Sequence, residues 1–134
     1  MAVGLNKDGS FAEDKLHTYK HEGSSVVKER QEKPHVHSVE LSPDGGYLLA
    51  PDLGADKVYQ YQIDATHPEI LIPVEPPFIM AKPGAGPRHI TFHPNGNYAY
   101  LVLELQGAVT VFDYKKGVLK EKQTISMVTP DFKG

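Results

Sequence analysis

The chain has 134 residues, of which 40% are hydrophobic and 23% charged; 14 Lys/Arg stand against 17 Asp/Glu for a formal net charge of -3. This length suits one small domain, and 12 Gly with 11 Pro argue against a helical bundle. The absence of Cys excludes a disulfide framework, a thiol nucleophile and a thiolate metal site.

Val3 to Leu5 and the stretch around Leu16, His17 and Tyr19 are expected to be two strands of an incomplete first unit. Val36 to Leu41 alternates, with Val36, Ser38 and Glu40 on one side and His37, Val39 and Leu41 on the other, as a strand does. In the tight turn Pro43-Asp44-Gly45, Pro presets φ, Asp can bond its own backbone and Gly accepts a positive φ. Tyr47 to Pro51 is a short apolar strand, and Pro51 at its end is expected to distort the local ladder. Lys57 to Ile63 alternates again, and after the Pro-rich stretch from Pro68 to Pro77 the unit closes with Phe78 to Ala81, or with a longer strand that starts at Val74. Arg88 to Phe92, the turn Pro94-Asn95-Gly96, Tyr98 to Glu104, Ala108 to Asp113, a turn at Tyr114 to Gly117 and Leu119 to Met127 repeat the plan.

The two units are in register at an offset of 51 residues, from Val39 on Ile90 through Pro43 on Pro94 and Gly45 on Gly96 to Tyr61 on Phe112. Fixed-period repeats of this size indicate solenoids, propellers or arrays, and four short strands per unit fit a propeller blade. The expected fold is all-β, with four-stranded antiparallel meanders. Residues 1–30 end one blade, 31–82 and 83–129 are complete blades, and 130–134 lead into another. About two and a half blades cannot close a ring of four to eight. The ring then needs either the missing blades of a parent chain or further copies of this one.

In such a blade the start of the innermost strand and the end of the second lie at one edge. This groups His35, His37 and Asp52 in one unit and Arg88, His89 and Glu104 in the next, with His37 and Arg88 at equivalent repeat positions. Each residue also has an ordinary reading. His37 can bond a loop carbonyl, Arg88 can form a strand-end ion pair with Glu104, and His89 can sit between blades. His93 can pack a turn, while Asp52 and Asp56 can cap turns. His35-x-His37 with Asp52 would offer a metal nitrogen and oxygen donors, but alternate residues on a solvated strand need no metal, and none is expected. Gly84-Ala85-Gly86-Pro87-Arg88 lacks the full glycine-loop pattern of a nucleotide site and precedes no helix. Arg88 itself suits a carboxylate or phosphate, which a guanidinium binds bidentately.

Lys33-Pro34-His35-Val36-His37-Ser38-Val39, Ser42-Pro43-Asp44-Gly45 and Asp52-Leu53-Gly54-Ala55-Asp56-Lys57-Val58 together resemble the seven-bladed propeller lactonase family. Gly84-Ala85-Gly86-Pro87-Arg88-His89 and Phe92-His93-Pro94-Asn95-Gly96 resemble its next blade. The likeness runs from about His21 onward and would cover about a third of a complete member. It implies a channel mouth where His37, Arg88 and Glu104 are catalytic, with either His37 or Glu104 as general base and His35 as a substitute for His37, and where His35, Arg88, His89 and Asp52 bind substrate, with no metal or organic cofactor. The implied activity is hydrolysis of a sugar-acid lactone such as 6-phosphogluconolactone. Carboxymuconate cyclisation and a non-catalytic protein-binding scaffold are the alternatives. The implied partner is a small anionic lactone or carboxylate. The mild acidity and lack of basic blocks argue against nucleic acid and membrane surfaces. Met1 to Ser10 lacks the pattern of a secretory signal, so a cytoplasmic setting is expected.

Overall fold

The computed structural model describes residues 1–132; the side chains of residues 13–15 lie outside that description, as do Lys133 and Gly134 of the expected lead-in. The described strands are β1 (Ala2–Leu5), β2 (Phe11–His17), β3 (Glu40–Leu41), β4 (Tyr47–Asp52), β5 (Lys57–Ile63), β6 (Leu71–Met80), β7 (Pro87–Phe92), β8 (Tyr98–Leu103), β9 (Ala108–Lys115) and β10 (Val118–Ser126). They form a β1-β2 hairpin and two four-stranded antiparallel meanders in sequence order, β3 to β6 and β7 to β10. The architecture is all-β, as partial propeller blades.

Alternation decides which blade each side chain meets. On β4 and β5, Leu49 and Val58 face the second meander, where they join Ile90, Ala99, Leu101 and Phe112. Ala50 and Tyr61 face the other way and pack with Leu71, Ala2 and Tyr19 against the hairpin. Strand β4 is thus apolar on both faces because blades cover both. Full burial of Leu49 or Leu101 contributes about 2 kcal/mol each. Strand β10 is exposed along nearly its whole length.

The repeat extends to the turns. Asp44 Oδ1 accepts from the Gly46 amide at 3.1 Å, and its counterpart Asn95 Oδ1 accepts from the Asn97 amide at 3.0 Å. His93 Nδ1 accepts from the Asn95 amide at 3.1 Å, which puts that ring in turn packing.

Several expected elements change. Strand β6 begins at Leu71 and absorbs much of the Pro-rich stretch, because an outer strand lets prolines turn their donor-less side away from the ladder. Tyr114 belongs to β9 rather than the turn; its buried ring packs on Phe92 at 4.7 Å while its hydroxyl accepts from the Gly117 amide. Pro51 does not disturb the β4–β5 register, where it pairs with Val58. Its effect falls on the other side: the Pro51 carbonyl accepts from the His37 amide at 3.0 Å, but Pro cannot return a bond. The innermost strand, expected over Val36 to Leu41, is therefore only β3 and an isolated bridge between Val36 and Asp52.

Between the Val36–Asp52 bridge and the Glu40–Leu49 pair, the inner strand carries one residue more than its partner. The same happens in the second blade between Pro87 (opposite Leu103) and Ile90 (opposite Leu101). Both blades thus bulge at equivalent positions, His37-Ser38 and Arg88-His89. A bulge interrupts side-chain alternation and re-aims the extra residue.

Candidate active site

The two bulges meet at one edge of the sheets. Ser38 in the first donates its hydroxyl to the Arg88 carbonyl in the second, at 2.9 Å, and ties the blades together there. Glu104 follows β8, and its amide donates to the Gly86 carbonyl at 2.9 Å, which holds it beside the start of β7. The structure brings His37, Arg88 and Glu104 together. Arg88 Nε donates to His37 Nε2 at 3.2 Å and lies 2.7 Å from Glu104 Oε2. His37 Nε2 must therefore present a lone pair, with the ring proton on Nδ1. Among the described residues the His37 ring bonds no loop carbonyl. His89 is exposed and sits edge-on to His37 of the neighbouring blade, with ring centroids 5.2 Å apart.

A fourth residue completes the cluster. Arg30 Nη2 pairs with Glu104 Oε1, so two guanidinium groups grip opposite oxygens of one carboxylate. Arg30 projects from a tight turn that Gln31 anchors. The fully buried Gln31 amide donates to the Leu53 carbonyl at 2.8 Å and its oxygen accepts from the Val27 amide at 3.1 Å. Nothing in the sequence marks Arg30, because Lys28-Glu29-Arg30-Gln31-Glu32 has no periodicity and reads as a solvated charged run. The Arg30 and Arg88 side chains are 50% and 43% exposed. Among the described residues, the terminal nitrogens of Arg88 have no hydrogen-bond or ion-pair partner.

Burial pushes the Glu104 pKa up, but the Arg30 hydrogen bond and charge, then Arg88 and His37, pull harder and hold it below the usual glutamate range. The cluster is an ionised carboxylate organising two cations beside an imidazole. It can bind an anion, stabilise negative charge on a carbonyl oxygen and move a proton through His37.

The other expected residues lie elsewhere. Asp52 is 0% exposed and does not reach this edge. Its Oδ1 accepts from the His35 and Ala55 amides at 2.8 and 3.1 Å, and its Oδ2 lies 3.0 Å from His21 Nδ1. Burial raises its pKa, but His21 and these two amides outweigh burial and lower it overall. The repeat explains the misplacement: the counterpart of Glu104 is Leu53, whose amide donates to the His35 carbonyl as the Glu104 amide does to Gly86. Asp52 corresponds instead to Leu103, one residue off and hence on the buried face. His35 turns its ring to Glu32, at 3.1 Å, on the rim of a groove that His37 and Arg30 also line. His35, His37 and Asp52 thus point three ways and share no metal position. The Gly84 and Gly86 amides donate to Asp56 at 2.7 and 2.8 Å, so the glycine loop holds a carboxylate of its own chain. Asp56 adopts a left-handed backbone, φ 52°, to make that cap.

Comparison with known proteins gives a consistent picture. The chain matches the family described as "Lactonase, 7-bladed beta-propeller" over residues 1–134. It is 41% identical over 106 residues to a 6-phosphogluconolactonase of Bacillus subtilis, covering 78% of this chain and 29% of that protein. A 6-phosphogluconolactonase of Formosa agariphila is 37% identical over 98 residues, covering 73% of this chain and 28% of that protein. The solved structure of a periplasmic gluconolactonase of Pseudomonas aeruginosa superposes with a TM-score of 0.91 at 42% identity, covering 98% of this chain and 36% of that one. The chain spans about a third of the length of these relatives.

Proposed function

Since the chain belongs to the seven-bladed β-propeller lactonase family, we propose that the complete propeller containing it hydrolyses a sugar-acid lactone, with Arg88 and His37 at the reacting end. Arg88 receives the lactone carbonyl oxygen, where charge develops as water adds. The water proton passes to His37 Nε2, whose lone pair exchanges the Arg88 Nε–H for the water as the guanidinium turns to the carbonyl oxygen. The bond between carbonyl carbon and ring oxygen then breaks, the ring oxygen takes that proton back as a hydroxyl, and the acid ionises to a carboxylate. Glu104 is the anchor of the arginines, since a carboxylate gripped by two guanidinium groups is a poor proton acceptor.

The observation that carries this reading is the convergence of His37, Arg88 and Glu104 from two blades within direct contact. Relatives named for 6-phosphogluconolactone and gluconolactone support the substrate class. The purified complete protein is expected to release acid from freshly prepared aldonolactones, followed by titration. Failure to open any lactone, or consumption of carboxymuconate in its place, refutes the reading.

The division of labour has a pH signature. A depressed carboxyl pKa means that the Glu104 ion pairs are intact above the ordinary glutamate value and are lost only as pH falls through the lower folded one. Any acid limb of the pH–rate profile between about pH 5 and 8 then belongs to another group. Glu104→Gln should lower the rate yet leave that limb in place. Disappearance of the limb in Glu104→Gln would assign the base to Glu104 instead of His37.

A further inference from the structure

The two blades hold their bulges by different means. In the second, Arg88 lies within the six-residue strand β7, where Pro87 pairs with Leu103. In the first, Pro51 has no amide to offer, and only the Val36–Asp52 bridge precedes β3. A side chain makes up the difference. Asp52 Oδ1 accepts from the His35 amide at 2.8 Å, two residues before His37, and from the Ala55 amide at 3.1 Å. The position of the His37 imidazole therefore depends on the rotamer of a fully buried carboxylate.

His21 fixes that rotamer. Its Nδ1 lies 3.0 Å from Asp52 Oδ2 and its Nε2 3.0 Å from the Tyr61 hydroxyl, while its ring stacks on Tyr59 at 3.6 Å. The Asp52 carboxyl stays below its usual range despite burial, so it only accepts. Burial pushes the Tyr61 phenol up to about 12, which keeps it a neutral donor. With a neutral imidazole between them the proton order is set: Tyr61 donates to His21 Nε2, and His21 Nδ1–H donates to Asp52. The His21 side chain is 5% exposed and comes from the connection between β2 and β3. The repeat shows that a blade does not need this trio. At an offset of 51 residues Asp52 becomes Leu103 and Tyr61 becomes Phe112, both buried in a meander of the same topology. The buried polar network thus stands in the blade that carries His37. In a low-dielectric interior a fully satisfied network specifies one geometry, whereas apolar residues of similar size serve stability at least as well.

We infer that His21 and Asp52 are positioning residues for His37: the imidazole of one locks the carboxylate of the other on the His35 amide, and so sets where the His37 ring meets Arg88. Both are buried and act only through the backbone that leads to His37. This rests on the lactonase reading, in which His37 takes the water proton. It separates turnover from binding, because Arg88 and Glu104 are held by the second blade and keep their contact when the first-blade segment loosens.

The test compares His21→Asn and His21→Leu with the unmodified complete protein, by kinetics on 6-phosphogluconolactone and δ-gluconolactone and by NMR of the histidine ring nitrogens. The Asn amide can stand where Nδ1 stands and keep the bond to Asp52, whereas Leu cannot. His21→Leu should lower kcat about 10- to 100-fold, the cost of a misplacement of about 1 Å, with KM within about threefold. His21→Asn should recover most of that loss. The His37 ring, assigned with His37→Gln, should show a single Nδ1–H tautomer in the parent and in His21→Asn, and averaged tautomers in His21→Leu. Should His21→Leu fail to fold, His21→Leu combined with Asp52→Leu leaves no unpaired buried charge and takes the second blade's residue at position 52. Its kcat should be low as well. Turnover within about twofold of the parent in either folded Leu variant, or equal losses in His21→Asn and His21→Leu, would overturn the inference. If the unmodified protein opens neither lactone, the functional reading fails by itself and the His37 spectrum decides. Averaged tautomers in the folded Leu variant then support the positioning role, and an unchanged spectrum refutes it.

Discussion

Arg88→Ala in the complete protein should lower kcat/KM for lactone opening about 10²- to 10⁴-fold and leave the fold unchanged. The loss is large because a guanidinium aimed at a developing oxyanion acts chiefly in the transition state, and removing one such donor costs about 10² to 10³ in kcat. Arg88→Ala also frees Glu104 Oε2 and the His37 lone pair from the group that organises them. The fold should survive, because the side chain is nearly half exposed and Ser38 bonds the Arg88 carbonyl, which the substitution keeps. Arg88→Lys should fall between the two, since an ammonium restores charge without the planar fork. Steady-state kinetics with a parallel thermal melt measures both quantities. Turnover within twofold of the parent would remove Arg88 from the site.

Gly54→Ala should be the most damaging small substitution in the first blade. A Cβ at Gly54 would overlap the backbone carbonyl oxygen of Lys33 and come within 2.7 Å of His35 Cδ2 and 2.9 Å of the His35 nitrogen. Backbone cannot rotate aside as a side chain does, so the Lys33-to-His35 segment must move. The expected cost is about 2–4 kcal/mol, at the upper end for overpacking. The same shift would strain the bond from the Leu53 amide to the His35 carbonyl and displace His37, so activity should fall with stability. Gly46→Ala is the matched control: its Cβ would meet only Asp44, at 3.6 Å, and should cost below about 1 kcal/mol. Urea unfolding of both variants gives the comparison. Equal midpoints for the two would show that the close approach at Gly54 is not rigid.

Much of the site was legible because a repeat carries positional information. His37 and Arg88 occupy equivalent places 51 residues apart, and in the structure their side chains touch. Glu104 was legible from topology, since the end of a second strand must return beside the start of the first. Asp52 was misassigned to the same edge by one residue, and in a strand one residue is the difference between groove and core. The signal that would have corrected it lies in the repeat itself: Asp52 aligns with Leu103, whereas Leu53 aligns with Glu104. Arg30 and Ser38 left no such signal. One lies in an irregular loop without periodicity, and the other contributes through a contact to the next blade.

Strand count and turn chemistry follow from local rules. Alternation sorts side chains by face, Pro-Asp-Gly closes a hairpin, and a periodic pattern repeats the unit, all within a few neighbouring residues. The sequence alone therefore determined an all-β blade array and the edge at which polar residues gather. Only the tertiary structure decided which of those residues meet. The paired bulges redirect His37 and Arg88 out of alternation, Pro51 withholds the bond that would have straightened the inner strand, and a buried Gln31 delivers Arg30 from outside both meanders. Each of these depends on contacts between segments far apart in the chain, which no local period encodes.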